Sequence, residues 1–304
     1  MTSVTTEMCP FCRENRTVRL VVSAEDYEYG VPGFFHLGRC CACGLHFQVP
    51  RPLPSSLPSF YPDGYVTYVE SGSVLSRWLV RGYYAREARV MAALIGDSGH
   101  VLDVGCGAGL ALEVFGQRRH WTLTGVELDS RSVRSAQRRG LEVLEGSFEE
   151  ATLEPASFDL IRMSHYLEHV RDPLLNLERA RTLLKPGGIL YVEIPSIESW
   201  DFAVWGRYWG ALHFPRHLIF PAQRHMRTLL AQAGFTLVVV KARFRTCGWS
   251  AGIQNFLHDR WGLRVPPVGG RVAWYPLLVG LCLPLSLLQA LCGRPGALAY
   301  IARK

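Results

Sequence analysis

Short apolar runs alternate with stretches of helical spacing through the middle of the chain: Val101 to Gly105, Leu123 to Glu127, Leu141 to Leu144, Phe158 to Met163 and Ile189 to Ile194. Runs of this length bounded by turns predict buried strands. Their alternation with amphipathic stretches predicts a mostly parallel sheet with helices on both faces, joined by right-handed crossovers. Ahead of them Trp78, Leu79, Tyr83, Tyr84, Ala88, Val90, Met91 and Leu94 recur at helical spacing among arginines, which predicts a helix from Ser76 to about Ile95. Lys185-Pro186-Gly187-Gly188 predicts a helix stop and a turn into the fifth strand. Phe235 to Ala242 and Leu298 to Ala302 bring the count to seven strands, so the fold class is α/β with a Rossmann-like seven-stranded sheet.

The first fifty residues follow another pattern. Five of the nine cysteines lie there, in Cys9-Pro-Phe-Cys12 and Cys40-Cys41-Ala-Cys43-Gly44, with short β-like stretches between. Each pair has the spacing by which two thiolates reach one tetrahedral zinc ion, so Cys9, Cys12, Cys40 and Cys43 are expected to hold structural zinc in a small zinc-ribbon-like module, with Cys41 spare. A redox pair is the alternative, but its thioredoxin-like context is absent. Pro50, Pro52, Pro54, Pro58 and Pro62 then exclude a regular helix or central strand. The expected organisation is a zinc module over 1–50, a connector and leading helix over 51–97, and a core domain over 98–304 with an apolar insertion at about 247–296.

The strongest motif is Val101-Leu-Asp103-Val-Gly105-Cys-Gly107-Ala-Gly109, a strand entering three glycines before a helix that starts near Leu110. Glycines let the backbone turn sharply and approach a ligand at a helix N-terminus. Leu110 replaces the small residue of the dinucleotide fingerprint, which disfavours nicotinamide and flavin. Glu127 stands at the end of the next strand, where a carboxylate accepts hydrogen bonds from the ribose hydroxyls of an adenosine. With Phe158-Asp-Leu-Ile161 and Leu183-Leu-Lys-Pro-Gly-Gly188 in the right order, the chain resembles the class I methyltransferases over about 98–242. The resemblance implies S-adenosylmethionine as donor, held by Asp103, Gly105, Gly107, Gly109, Glu127 and Ser164, with Ser147 and Phe148 beside the adenine. The cysteine module, with Phe60-Tyr61-Pro-Asp-Gly-Tyr65, resembles a bacterial branch that includes deoxysugar C-methyltransferases, in which zinc is structural.

Ser164-His165-Tyr166-Leu-Glu168-His169 follows the fourth strand. If this is a helical turn, His165, Glu168 and His169 share a face and suit a divalent cation. The segment is similar to the Met-Glu-x-x-Glu-His pattern of ubiquinone O-methyltransferases and small-RNA 2'-O-methyltransferases, whose acidic and His residues can bind such an ion, although His165 replaces the first Glu. A second cluster, Trp205-Gly-Arg207-Tyr208-Trp209 through His213, Arg216 and His217, lies in the long loop after the fifth strand, where this fold commonly shapes an acceptor pocket. His217 is the first candidate for base or acceptor contact and His169 the second; His225 and His258 are read as packing or surface residues.

A hydrophobic fraction of 48% with 19% charged residues excludes a disordered or fibrous chain. The formal charge of +7 favours acidic partners, but Arg51, Arg77, Arg81, Arg118, Arg119, Arg131, Arg134, Arg138 and Arg139 are dispersed, so the expected partner is a small molecule and not nucleic acid. The first twenty residues carry no apolar h-region, and a cytoplasmic location is expected. Ala273 to Cys292 is uncharged and long enough for a membrane span. Pro276 and Pro284 interrupt it, and one crossing would strand the last strand on the wrong side. An apolar helical hairpin is expected instead, either a lid over the acceptor site or part of the core, the favoured readings, or a peripheral membrane contact. The functional expectation is methyl transfer to a sugar, isoprenoid, polyketide or lipid-linked intermediate; the alternatives are RNA methylation and a donor-binding regulator without turnover.

Overall fold

The computed structural model describes residues 4–61, 74–265, 272 and 274–304. Four antiparallel strands come first: β1 (Val4–Met8), β2 (Asn15–Ala24), β3 (Phe35–Cys40) and β4 (His46–Val49), with a 3-10 turn over Pro54–Phe60 after them. Next come α1 (Val74–Ile95), β5 (Ser98–Val104), α2 (Leu110–Gly116), β6 (His120–Glu127), α3 (Ser130–Arg138), β7 (Val143–Glu145), β8 (Phe158–Ser164), α4 (Pro173–Leu183) and β9 (Leu184–Pro195). The chain ends with α5 (Trp200–Trp205), β10 (Ile219–Phe220), α6 (Gln223–Gln232), β11 (Thr236–Arg243), α7 (Cys247–Trp261), α8 (Tyr275–Leu291) and β12 (Ala297–Arg303).

The large sheet has the order β11-β12-β9-β8-β5-β6-β7. β12 runs antiparallel to both its neighbours, and β9, β8, β5, β6 and β7 pair in parallel. Side chains alternate across a strand, and the buried pairs show it. Leu102, Ile161, Leu190 and Tyr300 face α4 and α6 through Leu177, Met226 and Leu230. Their neighbours Val101, Leu160, Tyr191 and Ile301 face α1 and α2 through Met91 and Phe115. A strand so buried on both sides reads as a continuous apolar run, which is why these elements were visible in the sequence.

Two features differ from expectation. β9 begins at Leu184 and takes in the Lys185–Gly188 turn, because the pairing with β8 continues across an irregularity between Phe158 and Leu160. β10 leaves the core domain's loop and pairs with β4, so the cysteine-bearing sheet has the order β1-β2-β3-β4-β10. The expected hairpin exists as α7 and α8, packed together and inserted along the chain between the paired, antiparallel β11 and β12. Among the described residues no helix is long and apolar enough to cross a membrane. Of Phe60 to Tyr65, residues 62–65 lie outside the described residues, as does Ala273.

Candidate functional site

The turn after β5 is held by glycines in left-handed backbone, with φ of +70° at Gly105, +55° at Gly107 and +80° at Gly109. A Cβ at Gly105 would come within 3.0 Å of the Tyr166 ring, and one at Gly109 within 2.5 Å of Leu141, so conformation and space both demand glycine. Gly109 caps α2, directing the helix N-terminus into the turn. Glu127, at the end of β6, accepts from the Gly107 amide at 2.8 Å and the Asp129 amide at 2.9 Å. Burial raises its carboxyl against those amides. Each oxygen retains lone-pair capacity toward a ligand. Ser147 is half-buried on the same edge and donates to Glu150, whereas Phe148 is packed in the core against Tyr166 and under Arg179. Ser164 ends β8 opposite Glu193.

Beneath this turn lies a buried ionic group with no counterpart in the sequence reading. Arg162 on β8 is in register with Asp103 on β5 and donates to it at 2.8 Å, and its Nε reaches Glu87 of α1 at 2.9 Å. Asp103 Oδ2 is buried and finds no hydrogen-bond partner among the described residues. Burial raises this carboxyl while Arg162 opposes the shift. Further along the edge, buried Glu193 on β9 accepts from Tyr83 at 3.0 Å, Tyr191 at 2.8 Å, Arg243 at 2.8 Å and Arg245 at 2.9 Å. Burial works against its ionisation, but Arg245, His165 and Arg243 overcome it and hold the carboxyl well below its usual range. The available signal was a charge set between apolar neighbours, Leu-Ile-Arg162-Met and Tyr-Val-Glu193-Ile.

His165, Glu168, His169, His213 and His217 converge beside that edge. His165 has φ of +55° and precedes the 3-10 turn Leu167–His169, so it does not share a helical face with the pair that follows. It bridges Glu168 at 2.9 Å and Glu193 at 3.4 Å, and these carboxylates raise its pKa although burial and Arg245 oppose them. The cation set expected at His165, Glu168 and His169 is thereby corrected: the residues whose ligand atoms all lie within 4.8 Å of one another are Glu168, His169 and His217. His217 Nδ1 lies 2.8 Å from the Ala211 carbonyl and must donate to it, which leaves Nε2 with its lone pair, 4.0 Å from Glu168. Glu168 Oε2 is buried without a partner among the described residues. His169 stacks edge-on to His217 at 4.6 Å, and its Nδ1 lies 3.1 Å from the Tyr61 hydroxyl. Burial and the neighbouring imidazoles push His217 well below its ordinary pKa, and burial, His213 and His165 bring His169 down to about 3. His213, also left-handed at φ +42°, accepts from Arg216 through Nε2 and therefore donates through Nδ1 to Glu28 at 3.1 Å. His225 and His258 lie outside this cluster; His225 contacts the Cys43 carbonyl and His258 that of Leu263.

The four expected thiols come together. Cys9 and Cys43 sulfurs are 3.5 Å apart, Cys12 and Cys40 sulfurs 3.9 Å, and all four lie within 4.8 Å of one another. Tetrahedral zinc with Zn–S of about 2.3 Å requires sulfurs about 3.8 Å apart. Burial would raise the Cys40 thiol, but the Cys43 and Ala42 amides outweigh it and bring it down to about 7. Exposed Cys41 stands apart from the four.

A family model described as a methyltransferase domain matches residues 78–240. The ubiquinone biosynthesis O-methyltransferase of Paracidovorax citrulli is 36% identical over 99 residues, 30% of this chain and 41% of that protein. The enzyme of the same name from Paraburkholderia phymatum is 34% identical over 125 residues, 38% of this chain and 53% of that one. The chain thus spans about two-fifths to one-half of the length of these curated relatives. Among solved structures, a 1,6-didemethyltoxoflavin-N1-methyltransferase from Burkholderia thailandensis, with bound 1,6-didemethyltoxoflavin and S-adenosylhomocysteine, matches with a TM-score of 0.52 at 18% identity over 89% of this chain and 95% of that one. A SAM-dependent methyltransferase from Archaeoglobus fulgidus matches with a TM-score of 0.51 at 18% identity, covering 74% and 94% of the two chains. At such identities these structures establish a shared fold.

Proposed function

This chain belongs to the family of methyltransferase domains, and from that premise we propose that it moves the methyl group of S-adenosylmethionine onto a small-molecule acceptor held between the end of β8 and the loop from Gly206 to Ala222. The observation that carries the proposal is the juxtaposition, at one sheet edge, of a glycine turn fastened to Glu127 with a histidine whose Nε2 finds no hydrogen-bond partner among the described residues. Asp103 Oδ2, buried and unpartnered, has the chemistry to accept from an ammonium, and Glu127 that to accept from two ribose hydroxyls. The bound donor supplies a methyl already activated by its sulfonium charge. What is left to the chain is alignment of a nucleophile and removal of its proton.

His217 is the proposed base. Its tautomer is fixed by the Ala211 carbonyl, and Glu168, 4.0 Å away, opposes the burial and neighbouring imidazoles that disfavour an imidazolium there. The unpartnered Glu168 oxygen supports a second reading, in which Glu168, His169 and His217 hold a divalent cation that orients an acceptor oxygen. The names of the curated relatives make hydroxyl acceptors the first to test. Zinc on Cys9, Cys12, Cys40 and Cys43 is assigned a structural role.

Calorimetric titration with S-adenosylhomocysteine should give saturable binding that Gly107→Leu abolishes; absence of binding in the unaltered chain would refute the donor assignment. His217→Gln should keep that binding and lose about 10²-fold or more of labelled-methyl transfer to hydroxylated small molecules. Activity lost to a chelator while zinc stays bound by elemental analysis, and restored by magnesium, favours the cation reading; indifference to the chelator favours the base. Label appearing in RNA and not in small molecules rejects the acceptor class.

A further inference from the structure

α8 is built inside out. Its sequence, Tyr-Pro-Leu-Leu-Val-Gly-Leu-Cys-Leu-Pro-Leu-Ser-Leu-Leu-Gln-Ala-Leu, has no charge. The face turned to the protein carries Leu278, Cys282, Ser286 and Gln289, all buried, and the Ser286 hydroxyl and both polar atoms of the Gln289 side chain find no partner among the described residues. Leu277, Leu281, Leu283, Leu285, Leu287, Leu288 and Leu291 point outward, with Leu281 65% and Leu291 76% exposed. A helix resting on a core in water shows the opposite arrangement, its polar side chains outward and its leucines inward. An apolar patch of this extent marks a surface whose surroundings are not water.

Charge indicates what covers it. From Arg260 to Arg294 the sequence holds four Arg and no Asp or Glu. Exposed Arg260 and Arg264 lie at and just beyond the end of α7, and exposed Arg294 follows α8. Trp261, 76% exposed, and Trp274, 40% exposed, flank the same segment. Leucines bounded by arginine and tryptophan match the layered chemistry of a bilayer surface: acyl chains, an interface that accepts indole, and anionic headgroups. Because β11 and β12 are antiparallel neighbours, the insertion leaves and returns at the same sheet edge, so α8 lies along such a surface.

We propose that α8, with its flanking arginines and tryptophans, docks this protein onto an anionic lipid surface. α7 joins this surface to the loop of His213 and His217, since Asn255 of α7 donates to the Tyr208 carbonyl at 3.1 Å and Gly248, Ala251 and Gly252 pack against 201–210. Docking would therefore bring the acceptor loop to the membrane. The test is flotation of the full chain with vesicles of phosphatidylcholine alone and of equal parts phosphatidylcholine and phosphatidylglycerol. The unaltered chain should float with the mixed vesicles, less so at high salt. The doubly substituted Leu281→Glu, Leu288→Glu chain should lose at least ten-fold in partitioning while binding S-adenosylhomocysteine as before. Arg260→Glu with Arg264→Glu should weaken flotation on the anionic vesicles alone. An unaltered chain that stays at the bottom of the gradient overturns the proposal, as does undiminished flotation of the leucine variant. A lipid-free dimer that the leucine substitutions dissociate, without flotation in either form, assigns the face to a second copy and equally overturns it. S-adenosylhomocysteine titration of the same samples reports separately on the donor site.

Discussion

Arg162 is buried with Asp103 and Glu87 on either side, so two carboxylates share one guanidinium away from water. Burying charge is costly unless it is paired, and removing one partner leaves the other exposed to that cost, typically about 3–5 kcal/mol. Arg162→Leu is therefore expected to destabilise the chain by about that amount in urea denaturation, and to weaken S-adenosylhomocysteine binding as Asp103 loses its orientation; a change under about 1 kcal/mol would show that the triad does not hold the turn. The histidines set a pH dependence. His169 sits at about 3 and His46 at about 4 in the folded chain, both displaced mainly by burial from an ordinary 6.5. Between those values the unfolded chain binds protons that the folded chain refuses, so stability is full above about 6.5 and falls with pH below it, by up to about 1.4 kcal/mol per unit for each group. Urea midpoints across that window should fall toward acid, and His169→Gln should flatten the slope. Single residues of this kind were only partly legible in the sequence. Gly105 declares its turn through spacing, whereas Arg162 and its partners Asp103 and Glu87 come from three separate elements that only the fold assembles.

Elements placed by periodicity were legible, and those placed by contact were not. The central strands β5, β8 and β9 follow apolar runs because burial on both faces leaves few polar positions, Asp103, Arg162 and Glu193 being the exceptions. β10 is two residues long and exists because Leu218 is clamped between β4 and the histidine turn: its amide donates to the Glu168 carbonyl at 2.7 Å and its carbonyl accepts from Gln48 at 2.9 Å. No pattern of two residues could announce that. His165 misled for a related reason, since its left-handed backbone ends the face that spacing alone assigns to it. α7 shows what contact demands of sequence. A Cβ on Gly248 would fall 1.6 Å from Asp201, one on Gly252 2.6 Å from Trp205, and one on Gly210, across the interface, 2.4 Å from Ala251. These glycines let α7 lie directly against the segment that leads to His213 and His217. Gly248→Val should push them apart at a cost of about 1–3 kcal/mol. Methyl transfer should fall with little change in donor affinity, since the glycine turn after β5 is untouched; equal losses in both would mean that the two halves of the site are not separable.

Across the molecule, the cysteine cluster and the histidine cluster belong to one connected structure. Arg13 of the cysteine turn pairs with Asp172 at 3.1 Å, Arg51 donates to the Arg171 carbonyl at 2.7 Å, and His225 of α6 contacts the Cys43 carbonyl at 3.0 Å. Arg216, fully buried, donates to Asp26 at 2.8 Å and 2.9 Å, to the Phe60 carbonyl at 3.0 Å and to His213 at 3.0 Å, so the loop that carries His217 is tied to the cysteine-bearing sheet from both sides. A sheet of short strands around a small core needs a staple to hold such a load, and metal on four thiolates supplies folding free energy directly. Cys9→Ser with Cys12→Ser is accordingly expected to abolish bound zinc in elemental analysis and to lower the unfolding temperature. Methyl transfer should drop far more than donor binding, because β4 and β10 set the position of His217 whereas the turn after β5 rests on the large sheet. Full activity in a zinc-free variant would sever the two clusters, and zinc retained without Cys9 and Cys12 would move the metal elsewhere. A parallel loss of zinc and transfer with donor affinity intact is the outcome that this connectivity requires.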